Sequence, residues 1–397
     1  MSVNTSQHPA QCRENPDYLS RQLITYLGNK RALLGNIGQA VEQVKARLGK
    51  NALRVFDAFS GSGVVSRYLK AHAEHLVSND LEDYAAVTAR CYQRNWSTVD
   101  QASLLQLVDD LNSQVDSSQA PAGFIEELYS PRDDNHITKE DRVFYTRSNA
   151  RRLDRYRQLI EHVPFEFKDL LMGPLLSKAS IHANTAGVFK GFYKDRRTQI
   201  GQFGGSGSDA LCRIKGQIVL EPPILSRFEC DVEVLQQDAN QAARHLKNLD
   251  LVYLDPPYNQ HPYGSNYFML NLLVNYQRPK EVSRVSGIPT DWRRSGYNVR
   301  SQSLKLLQEL IETLDTKFLL ISFNDEGFIS PQEMWAMLNP LGSVNVLETK
   351  YNAFRGSRNF DCRAIHVVEQ LFVVERGSSR RTASTKTSRA LACTGLE

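Results

Sequence analysis

The chain has 397 residues, 41% hydrophobic and 23% charged, which suits one large α/β domain with an insertion, or two domains. No run of 18 apolar residues is present, and six cysteines scattered singly (Cys12, Cys91, Cys212, Cys230, Cys362, Cys393) without a C-x-x-C pair suggest neither a zinc site nor a disulfide framework. The formal charge of +4 is that of the tail alone, where Arg376, Arg380, Arg381, Lys386 and Arg389 stand against Glu397, so any nucleic-acid footprint must come from local clustering.

Taken in chain order, residues 1–17 show no periodic apolar pattern and are expected to be disordered. They also lack the apolar stretch of a secretory signal, and together with the single cysteines this leads us to expect a cytoplasmic protein. After Tyr26-Leu27-Gly28-Asn29-Lys30-Arg31, the residues Leu33, Leu34, Ile37, Val41, Val44 and Leu48 recur at helical spacing. Arg54-Val55-Phe56-Asp57-Ala58-Phe59-Ser60-Gly61-Ser62-Gly63 reads as a strand, 53–57, feeding a glycine turn that opens a helix over 64–72. Gly61, Gly63 and Ser66 approach the dinucleotide fingerprint, in which glycines let a cofactor come close to the backbone. Strand 76–79 then ends at Asp80, where an acid would hold a ribose hydroxyl pair. Helices over 82–96 and 101–115 continue a β-α alternation that predicts a parallel sheet with right-handed crossovers. Asp116–Gly123 reads as a linker.

From Phe124 to Pro223 the alternation stops. Thr138 with Asp141 reads as a capping box opening a helix to His162. On that helix Arg147, Arg151 and Arg155 form a stripe, with Arg152 and Arg157 nearby, which is either a solvated face pairing with local acids or a phosphate track. Phe189–Arg197 interleaves rings and cations, and Phe203–Ser208 supplies a flexible turn. Lys190, Lys194, Arg196 and Arg197 are candidate phosphate contacts there, and the rings are candidates for stacking on bases.

The sheet resumes with strands 231–236 and 250–254 around a helix from Asn240. Leu251-Val252-Tyr253-Leu254-Asp255-Pro256-Pro257-Tyr258-Asn259 is an apolar strand running into a carboxylate, two prolines and a ring. Such a strand suits the interior of a parallel sheet, whose chemistry lies just beyond the carboxyl ends of its strands, so Asp255 stands at the working edge. Pro256 and Pro257 fix φ and remove two backbone donors, which leaves the carbonyls available as acceptors on a stiff turn. With Tyr258 as a stacking face, this arrangement is what a flipped-out adenine needs: two acceptors for its exocyclic amine and a platform. The plain alternative is a strand that ends at a proline turn. Helix 267–276 follows, then the long loop 277–300, where Arg293 and Arg294 are a second candidate DNA contact. Helix 303–314, strand 317–323, helix 331–339 and an antiparallel pair, 343–350 and 365–374, complete about seven strands. Tyr351–Asn359 mixes rings with arginines in what is equally well a plain connection, and the tail 376–397 is expected to be disordered.

Together, the Asp57–Gly63 turn, Asp80, Asp255-Pro256-Pro257-Tyr258, the Tyr26–Arg31 segment and Val234–Ala239 resemble the amino-methyltransferases that use S-adenosylmethionine (AdoMet), specifically the Dam-like D12 class of DNA N6-adenine methyltransferases. The resemblance implies a Rossmann-like α/β fold of about seven mostly parallel strands, built from residues 18–116 and 230–375, with a largely helical target-recognition region inserted at 117–229. It implies AdoMet held by Tyr26, Lys30, Asp57, Phe59, Gly61, Gly63, Asp80, Asp238 and Ala239, with Asp80 at the ribose and Asp238 at the adenine amine. It also implies catalysis by Asp255, Pro256, Pro257 and Tyr258, double-stranded DNA as partner, no metal, and a restriction-modification or phage-defence setting with a cognate component. Asn29 stands where the family commonly has glycine, and residues 100–230 carry no matching motif.

Four other readings remain open at this level. An N4-cytosine methyltransferase shares the proline pair but more often has Ser where Asp255 stands, and an RNA adenine methyltransferase would use the same parts. A nicotinamide-dependent oxidoreductase would use the glycine turn and give Asp255-Pro256-Pro257-Tyr258 no role. A non-catalytic DNA-binding protein on the same fold is the fourth.

Overall fold

The computed structural model describes residues 14–117, 123–205, 210–324, 327–352 and 366–377. The expected disorder of residues 1–13, the middle of the 116–123 linker, the Ser206-Gly207-Ser208 turn, most of Tyr351–Asn359 and the tail from 378 onward lie outside the described residues.

Seven strands make one sheet: β1 (Leu53–Asp57), β2 (Ala73–Asp80), β3 (Asp231–Gln236), β4 (Leu249–Leu254), β5 (Thr316–Asn324), β6 (Gly342–Asn352) and β7 (His366–Arg376). Their order is β3-β2-β1-β4-β5-β7-β6. β1 through β5 pair in parallel, and β7 runs antiparallel to both β5 and β6. Every residue of β4 is buried, as its unbroken apolar run requires of a strand covered on both faces.

Alternate residues of the central strands feed two cores. Phe56, Val252, Leu254, Ile321 and Phe372 point to one face, covered by helices Ala239–His245, Arg300–Thr313 and Pro331–Leu338. Val55, Leu251, Tyr253, Leu320 and Leu371 point to the other, covered by helices Leu34–Leu48 and Val64–Leu69. Asp255 and Glu369 have the parity of this second set.

Between Phe124 and the return of the sheet lie helices Phe124–Tyr129, Arg147–Ile160, Phe165–Ile181 and Leu211–Lys215. The apolar faces of the first three share one cluster with helices Asp83–Tyr92, Gln101–Asp116 and Phe268–Asn275. Contact is close: a Cβ on Gly173 would stand 2.5 Å from Cys91 Sγ, so only glycine lets Phe165–Ile181 lie this near Asp83–Tyr92.

One sequence expectation needs correction here, and one open reading is decided. The Asp141 carboxylate does accept the backbone and hydroxyl of Thr138 (2.7 and 2.8 Å), but it also accepts Arg132 N–H (3.3 Å) and closes a loop. The helix begins at Arg147, where the Thr146 hydroxyl accepts Asn149 N–H at 3.2 Å. The arginine stripe is mainly a pairing face. Arg147 and Arg151 both reach the buried Glu126 (2.9 and 2.8 Å), Arg152 reaches Asp116, and Arg157 reaches Glu161 (2.7 Å).

Leu251 is fully buried at the centre of the sheet. Leu251→Ala is expected to lower the unfolding free energy by about 2–5 kcal/mol, the usual cost of a core truncation, as read from the urea midpoint at unchanged slope.

Candidate active site

The carboxyl ends of β1, β2 and β4 open onto one cavity holding about 860 Å³ of empty space including its mouth. Tyr26, Lys30, Asp57, Phe59, Gly61, Asp80, Asp238 and Ala239 all line it, and Asp255 and Pro257 stand in the same wall. Gly63 is outside the wall; at φ +74° it sets the turn into helix Val64–Leu69. Pro256 is buried and Tyr258 half-buried at the adjoining loop.

The glycine turn is held from both sides. The Gly61 N–H donates to Asp80 Oδ2 (2.8 Å), and Asp80 Oδ1 accepts Glu82 N–H (2.9 Å). Asp80 is therefore at the predicted strand end, with both oxygens already engaged in shaping the loop. Gly61 has φ +50°, and a Cβ there would lie 2.9 Å from the Tyr26 hydroxyl and 3.0 Å from its ring, so the bare backbone is what lets Tyr26 close over it. Tyr26 stacks on Tyr263 (centroids 5.1 Å) and Tyr267 (4.9 Å). Asp238 uses one oxygen, Oδ1, to cap helix Ala239–His245 through Asn240 and Gln241 N–H (2.9 and 3.2 Å). Phe59 meets Tyr297 edge-on at 5.2 Å.

Five acids line the cavity, Asp57, Asp80, Glu82, Asp238 and Asp255, against two bases, Lys30 and Arg293. Burial pushes the Asp57 carboxyl up to about 7 even though the Ser66 hydroxyl opposes it. It pushes Glu82 to about 7 against a hydrogen bond from Asn271, and raises Asp80 despite its backbone donors.

At the reacting edge, Lys30 Nζ lies 3.1 Å from Asp255 Oδ1 and 2.8 Å from Glu369 Oε1. The ammonium also sits 5.5 Å from the centroid of the Tyr258 ring, whose edge contacts Phe323 at 5.9 Å. Burial would lower the Lys30 ammonium, but Asp255, Tyr258 and Glu369 hold it well above its ordinary value. Burial raises Asp255 to about 6, with Lys30 pulling it down and Glu369 pushing it up.

The candidate DNA contacts are dispersed. Lys190, Arg196 and Arg197 are exposed, and Lys194 lies 5.0 Å from the Phe192 centroid. Phe189 and Phe192 are buried against Phe144 (6.2 and 5.2 Å), so these two rings belong to the core and offer no face to a base. Arg294 is exposed beside Trp292 at 4.6 Å, while Arg293 turns to the cavity rim, pairing with Asp83 (2.8 Å) and donating to the Leu81 carbonyl (3.1 Å).

Several wall residues escaped the sequence reading: Glu82, Tyr263, Ser295, Tyr297 and Asn298, besides Glu369 beneath the site. Asn298 donates to the Asn259 carbonyl at 2.7 Å and so ties the 277–300 loop to the active loop. Glu369 had a readable signal, since an acid two residues before Leu371 and four before Val373 shares their buried face.

A sheet whose carboxyl edge joins a glycine turn, an acid-lined cavity and the Asp255-Pro256-Pro257-Tyr258 loop is that of an α/β amino-methyltransferase. Residues 26–337 match the model of the D12 class N6 adenine-specific DNA methyltransferases, and the chain belongs to that family. It is 26% identical over 365 residues to the type II methyltransferase M.NlaIII of Neisseria lactamica, covering 89% of this chain and 99% of that protein. It is likewise 26% identical over 337 residues to M.CviAII of Paramecium bursaria Chlorella virus 1, covering 84% and 93%. Modification methylase StsI of Streptococcus sanguinis is 24% identical over 89% of this chain, which spans 52% of that longer protein. Among the described residues no group of three or more His, Cys, Asp or Glu could hold a metal ion, and no helix is long and apolar enough to cross a membrane.

Lys30→Met would take from Asp255 the ammonium that holds its carboxyl down and leave it beside the Glu369 carboxylate. Asp255 would then protonate more readily in the folded state than in the unfolded one, which stabilises the fold at low pH and is lost as pH rises through the folded value. Urea denaturation at about pH 8 should therefore show a loss of roughly 3–5 kcal/mol that shrinks at about pH 5.5.

Proposed function

We propose that this DNA adenine methyltransferase takes its methyl group from AdoMet bound in the acid-lined cavity and delivers it to the exocyclic amine of an adenine flipped out of double-stranded DNA. The observation that carries the reading is that Asp255 stands in the same wall as the glycine turn, so donor pocket and amine acceptor share one cavity. The donor set fits the cofactor: five carboxylates against two bases suit a ligand bearing an ammonium, a sulfonium, ribose hydroxyls and a ring amine.

Tyr26, Asp57 and the Gly61 backbone would hold the methionine part, with Asp80 and its neighbour Glu82 at the ribose and Asp238 with Ala239 at the adenine. AdoMet supplies, when bound, a methyl already electrophilic on sulfur, so the protein must improve a poor nucleophile. The adenine amine is poor because its lone pair is delocalised into the ring. Asp255 and the Pro256 carbonyl each accept one N–H, which draws the nitrogen toward tetrahedral shape and directs its lone pair at the methyl. Pro257 keeps that loop rigid, and Tyr258 stacks on the base, at about 1–3 kcal/mol by analogy with other base–aromatic contacts. We assign residues 117–229 to target recognition, with Lys190, Lys194, Arg196 and Arg197 on phosphates. Arg294 is a further phosphate contact, and Arg293 acts instead at the cavity rim. Similarity to type II methyltransferases and a modification methylase supports a restriction-modification setting with a cognate endonuclease.

Asp255→Ala should slow single-turnover transfer by roughly 10² or more at saturating AdoMet, whereas Tyr258→Phe, which keeps the stacking face, should retain most of it. Equal damage in Tyr258→Phe and Tyr258→Ala would remove stacking from the mechanism. Because only ionised Asp255 accepts, kcat/KM should fall as pH drops through about 6, an acid limb belonging to the Asp255, Lys30 and Glu369 cluster as a whole.

Neutralising Lys190, Lys194, Arg196 and Arg197 together should weaken DNA binding and flatten its dependence on salt, leaving AdoMet affinity untouched. Salt slopes equal to the parent's would return this loop to a purely structural role.

A further inference from the structure

Glu369 lies beyond residues 26–337, the stretch that matches the family, yet it completes the ion cluster at the reacting edge. It reaches that edge because β7 runs antiparallel to its neighbours. Its early residues sit at the carboxyl ends of the parallel strands, with Glu369 level with Asn324, the last residue of β5. Its side chain is fully buried and that of Lys30 is 3% exposed, whereas Asp255 keeps 18% exposure. Glu369 Oε1 also accepts the Ser322 hydroxyl at 2.8 Å, which anchors it within the sheet. One ammonium thus serves two carboxylates, and its shorter contact, 2.8 against 3.1 Å, is with the one sealed away from solvent.

We propose that Glu369 is a positioning residue for methyl transfer, holding Lys30 against the sheet and taking part of its charge, so that Asp255 keeps accepting capacity for the amine. This rests on the reading of Asp255 as acceptor. An ammonium engaged with Asp255 alone would bind its oxygens more tightly and compete with the amine's N–H groups. No ammonium at all would leave a buried carboxyl to protonate. Among the described residues Lys30, Glu369, Asp57, Tyr253, Tyr258 and Tyr263 are the charged or titratable groups that face Asp255, and Lys30 is the one cation of that set.

The test is single-turnover transfer of labelled methyl from saturating AdoMet to unmethylated DNA across pH, on the full chain carrying Glu369, Glu369→Asp or Glu369→Gln, with thermal melts alongside. Removing a like charge should move the acid limb down by about one pH unit in Glu369→Gln, with Glu369→Asp in between. The plateau rate should fall by roughly tenfold in Glu369→Gln as Lys30 turns fully to Asp255, and Glu369→Asp should recover part of it. A limb at the parent's pH in folded variants, with any rate loss tracking the melting temperature, would reduce Glu369 to a stability role. If Glu369→Gln does not fold, Glu369→Asp decides alone, because the sign of its limb shift is fixed. A parent enzyme with no acid limb would refute Asp255 as acceptor and remove the basis of this inference with it.

Discussion

The reversal of strand order at β1 is the constraint on which the site depends. From β1 the chain moves outward to β2 and then β3, and it returns to place β4 on β1's other flank. Loops leaving the carboxyl ends of β1 and β4 therefore diverge, and the crevice between them is the natural place for a ligand in an open parallel sheet. The glycine turn and the Asp255-Pro256-Pro257-Tyr258 loop are the two lips of that crevice. Asp57 pairs in register with Tyr253, two residues before Asp255, so the pieces meet because the strands do.

The crevice is bordered by a segment with ties on both sides. Arg278 pairs with Glu127 (2.6 Å), and the Tyr129 hydroxyl donates to the Gly287 carbonyl (2.8 Å), fastening the 277–300 loop to the insertion. Arg293 and Asn298 fasten the same loop to the cavity rim and to the active loop. The inserted region and the cavity are thus neighbours of one segment although neither borders the other in sequence.

Much of this was legible wherever a local pattern had one physical meaning. Strand-like runs ending at Asp57, Asp80 and Asp255 marked strand ends, because a buried parallel strand is largely apolar and its carboxylates fall near its ends. Pairwise geometry was less legible. Asp141 satisfies Thr138 through Oδ2 as a capping partner would, yet its Oδ1 accepts Arg132 N–H and closes a loop, and the helix starts only at Arg147. Phe189 and Phe192 alternate with cations as a nucleic-acid loop would, yet the cluster around Phe144 takes them inward. Glu369 was passed over because an acid in a late strand ordinarily points to water. Alternation with Leu371 and Val373 puts it on the buried face, but its partner Lys30 lies some 340 residues away, which periodicity cannot register.

The position of β7 also has a consequence for assembly. β6 is made before β7 but pairs with β7 alone, so until the last strand is inserted β6 has no neighbour and β5 presents an open edge. A chain emerging from the ribosome can form β1 through β5, the cavity and the Asp255 loop while Lys30 still has a single carboxylate partner. These closing contacts span nearly the whole chain, which places them among the slowest to form. Completion of the reacting edge in this way waits for β7 to leave the ribosome.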